Sequence, residues 1–394
     1  MTVLESFLSW RVHRALVERI GYAKPFSKIP RRKRILFVSA RDPICHTQLF
    51  PFFLYEKVLE GGYGIEVREL PLNHFQARRN SYGHEVDAVL FQTWFDLKAD
   101  QLRNLVERIK LAWPNAKIGY LDWFAPTDLR FAEVLDQDIA AYVKKQTLKK
   151  FELYKQATIG DTNLTDYYGR RSDIQLPRTQ FHVPADFEKK IFLGAGFEYS
   201  PQVLKNLNQP LYLGARTIDM HARIATKGTP WYSYMRGEAL AAVEKLKSNL
   251  NVAYAGRVPS HQYLAELRDS KLCFSPFGYG EVCWRDFEAM GAGAMLLKPD
   301  MSHLKLANDY FRPFETYVPL SWDLSDLREK AEYYIQNHAE RKAISENAFE
   351  QLRQHYKRGQ FTKDVEGLWK LLGFTTVRQP ATPSVTELHR IFAD

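Results

Sequence analysis

The stretch from Cys273 to Leu297, CFSPFGYGEVCWRDFEAMGAGAMLL, decides how the chain is read. An apolar run closes in Ser275-Pro276, and a Gly278-Tyr-Gly280 turn follows. An amphipathic segment then carries Glu281, Arg285 and Glu288, and Gly291-Ala-Gly293 opens a second apolar run. The pattern predicts a strand, a tight loop, a short helix and a second strand. Residues four and three apart share one helical face, so Glu281, Arg285 and Glu288 are expected side by side. An i,i+4 pair of this kind would equally serve as a surface ion pair worth about 0.3–0.5 kcal/mol. The glycines favour a ligand. They permit positive φ and close backbone approach, which a bound phosphate requires and a helix that merely covers a core does not.

Outward from this stretch, the second half alternates strands and helices. Pro210–Ala215 (PLYLGA) opens an α/β unit, followed by Arg216, Asp219, His221, Arg223 and Lys227 within a dozen residues. SYMRGEALAAVEKLKS reads as a helix, NVAYAG as a strand ending beside Arg257, HQYLAELRDS as a helix and KLCFSPFG as the next strand. Arg216, Arg223, Lys227, Arg257 and Arg285 are the candidates for neutralising a diphosphate, with Arg223 and Lys227 foremost. Cations placed where a leaving group gathers charge stabilise the transition state more than the ground state.

The first half repeats the alternation. RILFVSA (34–40) is a buried strand, TQLFPFFLYEKVLEGG a helix stopped by Gly61-Gly62, and Ile65–Leu70 a strand. DAVLFQTWF (strand), ADQLRNLVERIKLAW (helix) and AKIGYLDWF (strand) follow. Strands alternating with helices imply a mainly parallel sheet, whose ligands bind beyond the strands' carboxyl ends. At those ends stand Asp42, His46 and Asp122, the candidates for a base that deprotonates an acceptor hydroxyl. Asp42 could instead start the turn with Pro43, and Asp96 and Asp128 are expected at helix N-termini. The Pro- and turn-rich residues 172–208 are read as the interdomain connection. The predicted division is 1–33 a basic amphipathic segment, 34–190 and 191–360 two Rossmann-like domains, and 361–394 a closing helix and surface tail.

Composition bounds the class. With 394 residues, 45% hydrophobic and 26% charged, the chain suits two globular cores. Three scattered cysteines indicate neither a disulfide frame nor a zinc site, and suit a reducing compartment. No apolar run is long enough to span a bilayer. Of the net charge of +9, residues 1–34 carry +7, from nine Lys/Arg and two Glu. Leu4, Phe7, Leu8, Val12 and Leu16 give that segment an apolar stripe. It would lie on an anionic membrane surface or pack on the body. With +2 left for the remaining 360 residues, nucleic acid is not expected as a partner.

The order of these elements, with SPFGYGEVCWRDFEAMGAGAMLLKP late in the second half, resembles the GT-B glycosyltransferases. The likeness is to the group 1 and exostosin-like families of polysaccharide and surface-glycan biosynthesis. It implies an α/β fold of two Rossmann-like domains with mainly parallel sheets facing across a cleft. Glu288-Ala289 stands for the family's Glu-Ala pair, and the resemblance assigns to Glu288 the ribose hydroxyls of a nucleotide sugar. Retaining members often show two Glu separated by seven residues. Glu281 and Glu288 are separated by six, which leaves the stereochemistry open. The implied donor set is Arg223, Lys227, Arg257, Gly278, Gly280, Glu281, Arg285 and Glu288, with the acceptor on the first domain. No metal and no cofactor beyond the nucleotide-sugar co-substrate is expected. The acceptor would be a glycan or glycolipid, and the location cytoplasmic, on the inner face of the membrane. A sugar-nucleotide epimerase or a non-catalytic nucleotide-binding scaffold are the other readings.

Overall fold

The computed structural model describes residues 25–29, 32–40, 42–77, 85–212 and 214–375. The basic amphipathic reading of the N-terminal segment and that of the surface tail therefore fall largely outside the described residues.

The first domain contributes β1 (Lys33–Ser39), α1 (Pro43–Leu54), β2 (Ile65–Pro71), β3 (Ala88–Phe91) and α2 (Ala99–Ala112). It continues with β4 (Lys117–Asp122), β5 (Ala141–Lys144), β6 (Gln146–Leu148), α3 (Asn163–Arg171) and β7 (Ile191–Leu193). All but β6 form one parallel sheet in the order β2-β1-β3-β4-β5-β7. The inner strands β1 and β3 carry continuous apolar runs, with Ile35 to Val38 fully buried, whereas the edge strand β2 (IEVRELP) alternates and buries Glu66, Arg68 and Glu69. Because β7 pairs with β5, the chain leaves the first sheet only after Leu193.

The second domain holds α4 (Pro201–Leu207), β8 (Ile218–Ala222), α5 (Pro230–Glu244), β9 (Val252–Tyr254), α6 (Ser260–Arg268) and β10 (Ser270–Phe274). α7 (Trp284–Ala292), β11 (Met295–Pro299), β12 (Leu304–Leu306), β13 (Val318–Leu320) and the long α8 (His338–Lys357) complete it. Its sheet is also parallel, in the order β9-β8-β10-β11-β13.

Two expectations are corrected here. The first strand of the second unit comes after Pro210–Ala215 rather than with it. That strand is β8, within the polar run IDMHA, because the ladder to β9 and β10 satisfies its backbone while Asp219 pairs with Lys271 at 2.6 Å. The helix after the glycine turn starts at Trp284, not at Glu281. Asp286 accepts a hydrogen bond from the Cys283 N–H at 2.8 Å, so the cap falls at Cys283. Gly293, at φ 70°, ends the helix in the left-handed conformation glycine favours.

The carboxyl edges of the two sheets face one another. Gly280, past the end of β10, lies against Ala125, past the end of β4. β6 and β12, one from each domain, pair antiparallel. Residues 360–371 return to the first domain, where Phe361 packs edge-on to Phe52 at 4.8 Å. The Tyr55 hydroxyl donates to the Tyr356 carbonyl at 3.0 Å. One apolar cluster consequently runs through both domains, from Phe37 to Trp369.

Candidate active site

A cavity of about 500 Å³ opens at the carboxyl edge of the second sheet. Arg223 enters it from the end of β8, Arg257 from the end of β9, Tyr263 from α6, Arg236 from α5, and Arg285 and Glu288 from α7. Open parallel sheets place ligands at this edge, where backbone amides and helix N-termini converge.

The structure brings four of the sequence-chosen donor residues to this cavity: Arg223, Arg257, Arg285 and Glu288. Glu288, one turn after Arg285, accepts a 2.9 Å hydrogen bond from the Tyr263 hydroxyl on Oε2. Burial raises its pKa, against the opposing pull of that bond and of Arg285. Arg257 is exposed at the rim. Arg285 donates to the Arg223 carbonyl and, at 3.5 Å, to the Phe274 carbonyl, which fixes α7 to the ends of β8 and β10.

Arg223 is engaged on every side. Nε and Nη2 grip Glu266 at 2.9 and 2.7 Å, and Nη1 donates to the carbonyls of Tyr254 and Ala255, each at 2.8 Å. It ties β8, β9 and α6 together. Lys227 lies in the exposed loop between β8 and α5, outside the cavity lining. Arg216 is on the far side of the sheet, donating to the carbonyls of Arg268, Ser270 and Ala292.

The glycine turn and Glu281 depart from their expected use. Neither Gly278 nor Gly280 has positive φ. A Cβ on Gly280 would stand 1.9 Å from the Ala125 carbonyl oxygen, so glycine there admits the other domain rather than a phosphate. Glu281, off the helix and fully buried, accepts from Asn163 Nδ2 at 2.7 Å and meets His303 Nε2 at 3.3 Å. It bridges the domains and does not share a helical face with Arg285 and Glu288.

The three acceptor-side candidates fare differently. Asp42 caps α1, accepting from the Ile44 N–H at 2.7 Å. His46 sits half-buried in the first turn of α1. Asp122 is fully buried. Oδ2 accepts from Lys144 Nζ at 2.8 Å and from the Tyr142 hydroxyl at 2.6 Å, and Oδ1 accepts from the Phe124 N–H at 3.0 Å. Its charge is balanced inside the domain.

One Asp-x-Asp does occur, Asp136-Gln137-Asp138, at the amino end of β5. Its carboxylates are held by Lys190 at 2.8 Å and Lys110 at 2.5 Å, at the edge of the sheet away from the cavity. Among the described residues no three His, Cys, Asp or Glu side chains gather to hold a metal.

Sequence reading missed Arg236 and Tyr263, which line the cavity. Arg236 carries a legible signal, a charge on the stripe of Trp231, Met235, Ala239 and Val243 that α5 buries. His221 is fully buried, and burial, with Arg285 adding to it, pulls its pKa down to about 3, so it is neutral.

Two Rossmann-like domains with facing carboxyl edges, and an arginine-lined cavity with a half-buried glutamate in the second, are the arrangement of the GT-B fold. Residues 212–364, within the second domain, match the family described as glycosyl transferase-like, in line with the resemblance read from the sequence. No curated protein matches the sequence. Among solved structures, the chain is similar to an alpha-glucosyltransferase in complex with UDP-glucose and DNA containing an abasic site. That pair has 10% identity and a TM-score of 0.48, covering 86% of this chain and 99% of that one. It is similar to a glycosyltransferase from Rickettsia africae at 11% identity and TM-score 0.47, covering 88% and 100%. It is similar to TarM at 11% identity and TM-score 0.43, covering 72% and 54%.

Among the described residues no helix is long and apolar enough to cross a membrane.

Proposed function

We propose that this glycosyltransferase moves a sugar from a nucleotide-sugar donor, seated in the cavity of the second domain, to a glycan or lipid-linked acceptor presented by the first. The product would belong to a surface polysaccharide or glycolipid. The observation that carries this is Glu288. Its carboxylate lines a cavity at the carboxyl edge of a parallel sheet, held by Tyr263 and surrounded by arginines. A carboxylate there suits a pair of ribose hydroxyls, and the arginines suit the phosphates that follow. In this reading arginine side chains rather than a divalent cation neutralise the diphosphate. The basic segment 1–34 would bring the enzyme to an anionic inner membrane face, where a lipid-linked acceptor is met.

The test is donor binding. Glu288→Ala removes charge-assisted hydrogen bonds worth about 1.5–3 kcal/mol, so donor affinity falls about 10- to 100-fold while the free protein still folds. Thermal-shift screening of the wild type against a panel of nucleotide sugars identifies the donor, since a ligand of the folded state stabilises it. Unchanged affinity in the variant would remove the assignment.

A further inference from the structure

We propose that Arg236 is the cation that receives the donor's phosphate charge, and that Arg223, favoured for that role by the sequence, instead holds the cavity wall in place. This rests on the glycosyltransferase reading and names the working cation within it.

The arginines of the cavity differ in what they already hold. Arg223 has four protein acceptors, a carboxylate among them. Arg285 spends its terminal nitrogens on two carbonyls, although its Nε–H, like that of Arg236, is buried without an acceptor. Arg257 is exposed, and water screens it. Arg236 is only 8% exposed, yet it has no hydrogen bond or ion pair to any described residue, and its Nε–H is buried without an acceptor. It rests over the Tyr232 ring at 5.1 Å, with Nη2 beside the Gly278 turn, 3.5 Å from where a Cβ would stand.

A guanidinium remains charged at neutral pH even when burial works against it. Burial lowers the pKa of Arg236 and Arg285 adds repulsion, against the pull of Cys283, Tyr232 and Asp286, the last already paired with Lys298 at 3.0 Å. A buried cation without a counter-charge is destabilising. A protein gains from such a group only when something else completes it. The open side of Arg236 is the cavity, where Arg223 is cancelled by Glu266 and Glu288 offsets one further charge. The unbalanced positive charge that remains suits a ligand with two or more negative charges, hence a diphosphate rather than a neutral sugar.

The chemistry gives the position its use. In transfer, the bond from sugar C1 to the distal phosphate oxygen breaks and its electron pair stays on that oxygen. The acceptor oxygen forms the new bond to C1, and its proton passes to a base. Negative charge therefore grows on the phosphate. A desolvated donor with no protein partner to exchange is already arranged to meet that charge.

The test uses the whole chain and inorganic pyrophosphate as probe, with sulfate at matched ionic strength as control. Wild type is expected to bind pyrophosphate, and Arg236→Met to lose about 100-fold in affinity. Arg236→Lys, which keeps the charge without the planar fork, should lose about 10-fold. The free Arg236→Met protein should melt no lower than wild type, because an unpaired buried cation has been removed. A wild type that ignores pyrophosphate would overturn the proposal. So would a Met variant that binds it within threefold of wild type, or one that melts several degrees lower when free. If Arg236→Met does not fold, the structural reading wins unless Arg236→Lys folds and shows the affinity loss. The two readings fail separately. Pyrophosphate binding that needs Arg236, with no nucleotide sugar bound, keeps the anion site and removes the transferase reading. Nucleotide sugars bound alike by wild type and variant do the reverse.

Discussion

Replacing Gly280 by alanine tests whether the glycine turn is an interdomain fitting. The added Cβ would lie 1.9 Å from the Ala125 carbonyl oxygen and 2.5 Å from its carbonyl carbon. Real Cβ contacts below 3.0 Å are essentially absent, so in a close-packed seam the turn or Ala125 must retreat by about 1 Å. Neither neighbour is a flexible side-chain end that could swing away. Overpacking of this kind costs about 1–3 kcal/mol. The same carbonyl accepts from Gln146 Nε2 at 2.8 Å, beside the β6–β12 ladder, and losing that bond adds about 1 kcal/mol. The expected destabilisation is therefore about 2–4 kcal/mol, a large share of the roughly 5–15 kcal/mol of a typical protein. Urea unfolding followed by both tryptophan fluorescence and far-UV circular dichroism measures it. Gly237→Ala supplies the control. No atom lies within 4 Å of its added Cβ in the interior of α5, so it should stabilise by about 0.5–1 kcal/mol. A Gly280→Ala protein within 0.5 kcal/mol of wild type would refute the seam.

Asp122→Ala should destabilise by about 3–5 kcal/mol, because Lys144 is left charged at 1% exposure; equilibrium denaturation reads this directly, and a loss below 1 kcal/mol would count against the internal ion pair. Acid stability follows from two buried histidines, His355, which burial pulls down to about 4, and His221, at about 3. Both lie below the ordinary 6.5, so the unfolded chain takes up protons first. The contribution of these two groups is full above about pH 6.5 and falls by about 1.4 kcal/mol per unit per group until pH 4 and 3 respectively, while Glu198, raised by burial to about 7, works in the opposite sense between about pH 7 and 4.5. His355→Gln should flatten the drop between pH 6.5 and 4.5, and a profile as steep as wild type would show that His355 is not its source.

The alternation of apolar runs with helical stripes was enough to read two parallel α/β domains, since inner strands such as ILFV of β1 and AVLF of β3, buried on both faces, are apolar throughout. It failed at β8, where IDMHA carries an Asp and a His. Backbone pairing to β9 and β10 overrides composition there, and no local pattern reports it. The site was legible in part. Glu288 and Arg285 stand one turn apart on a helix that their own spacing predicts, and Arg257 follows its strand directly.

Partners across the fold decided the rest. Glu281 lost its helical place because Asp286 caps the helix three residues later, and its carboxylate found Asn163 118 residues away. Asp122 reads as a lone carboxylate at a strand end, yet Lys144 arrives on the neighbouring strand and balances it. Arg223 and Arg236 are alike as residues, and only the position of Glu266 separates the paired cation from the unpaired one. The sequence by itself determined the alternation of strands and helices and the existence of the helix that carries Glu288, because these depend on apolar runs and the 3.6-residue period along the chain. Only the tertiary structure decided which charges remain open to a ligand, because charge balance is set by distances through space, between residues the chain keeps far apart.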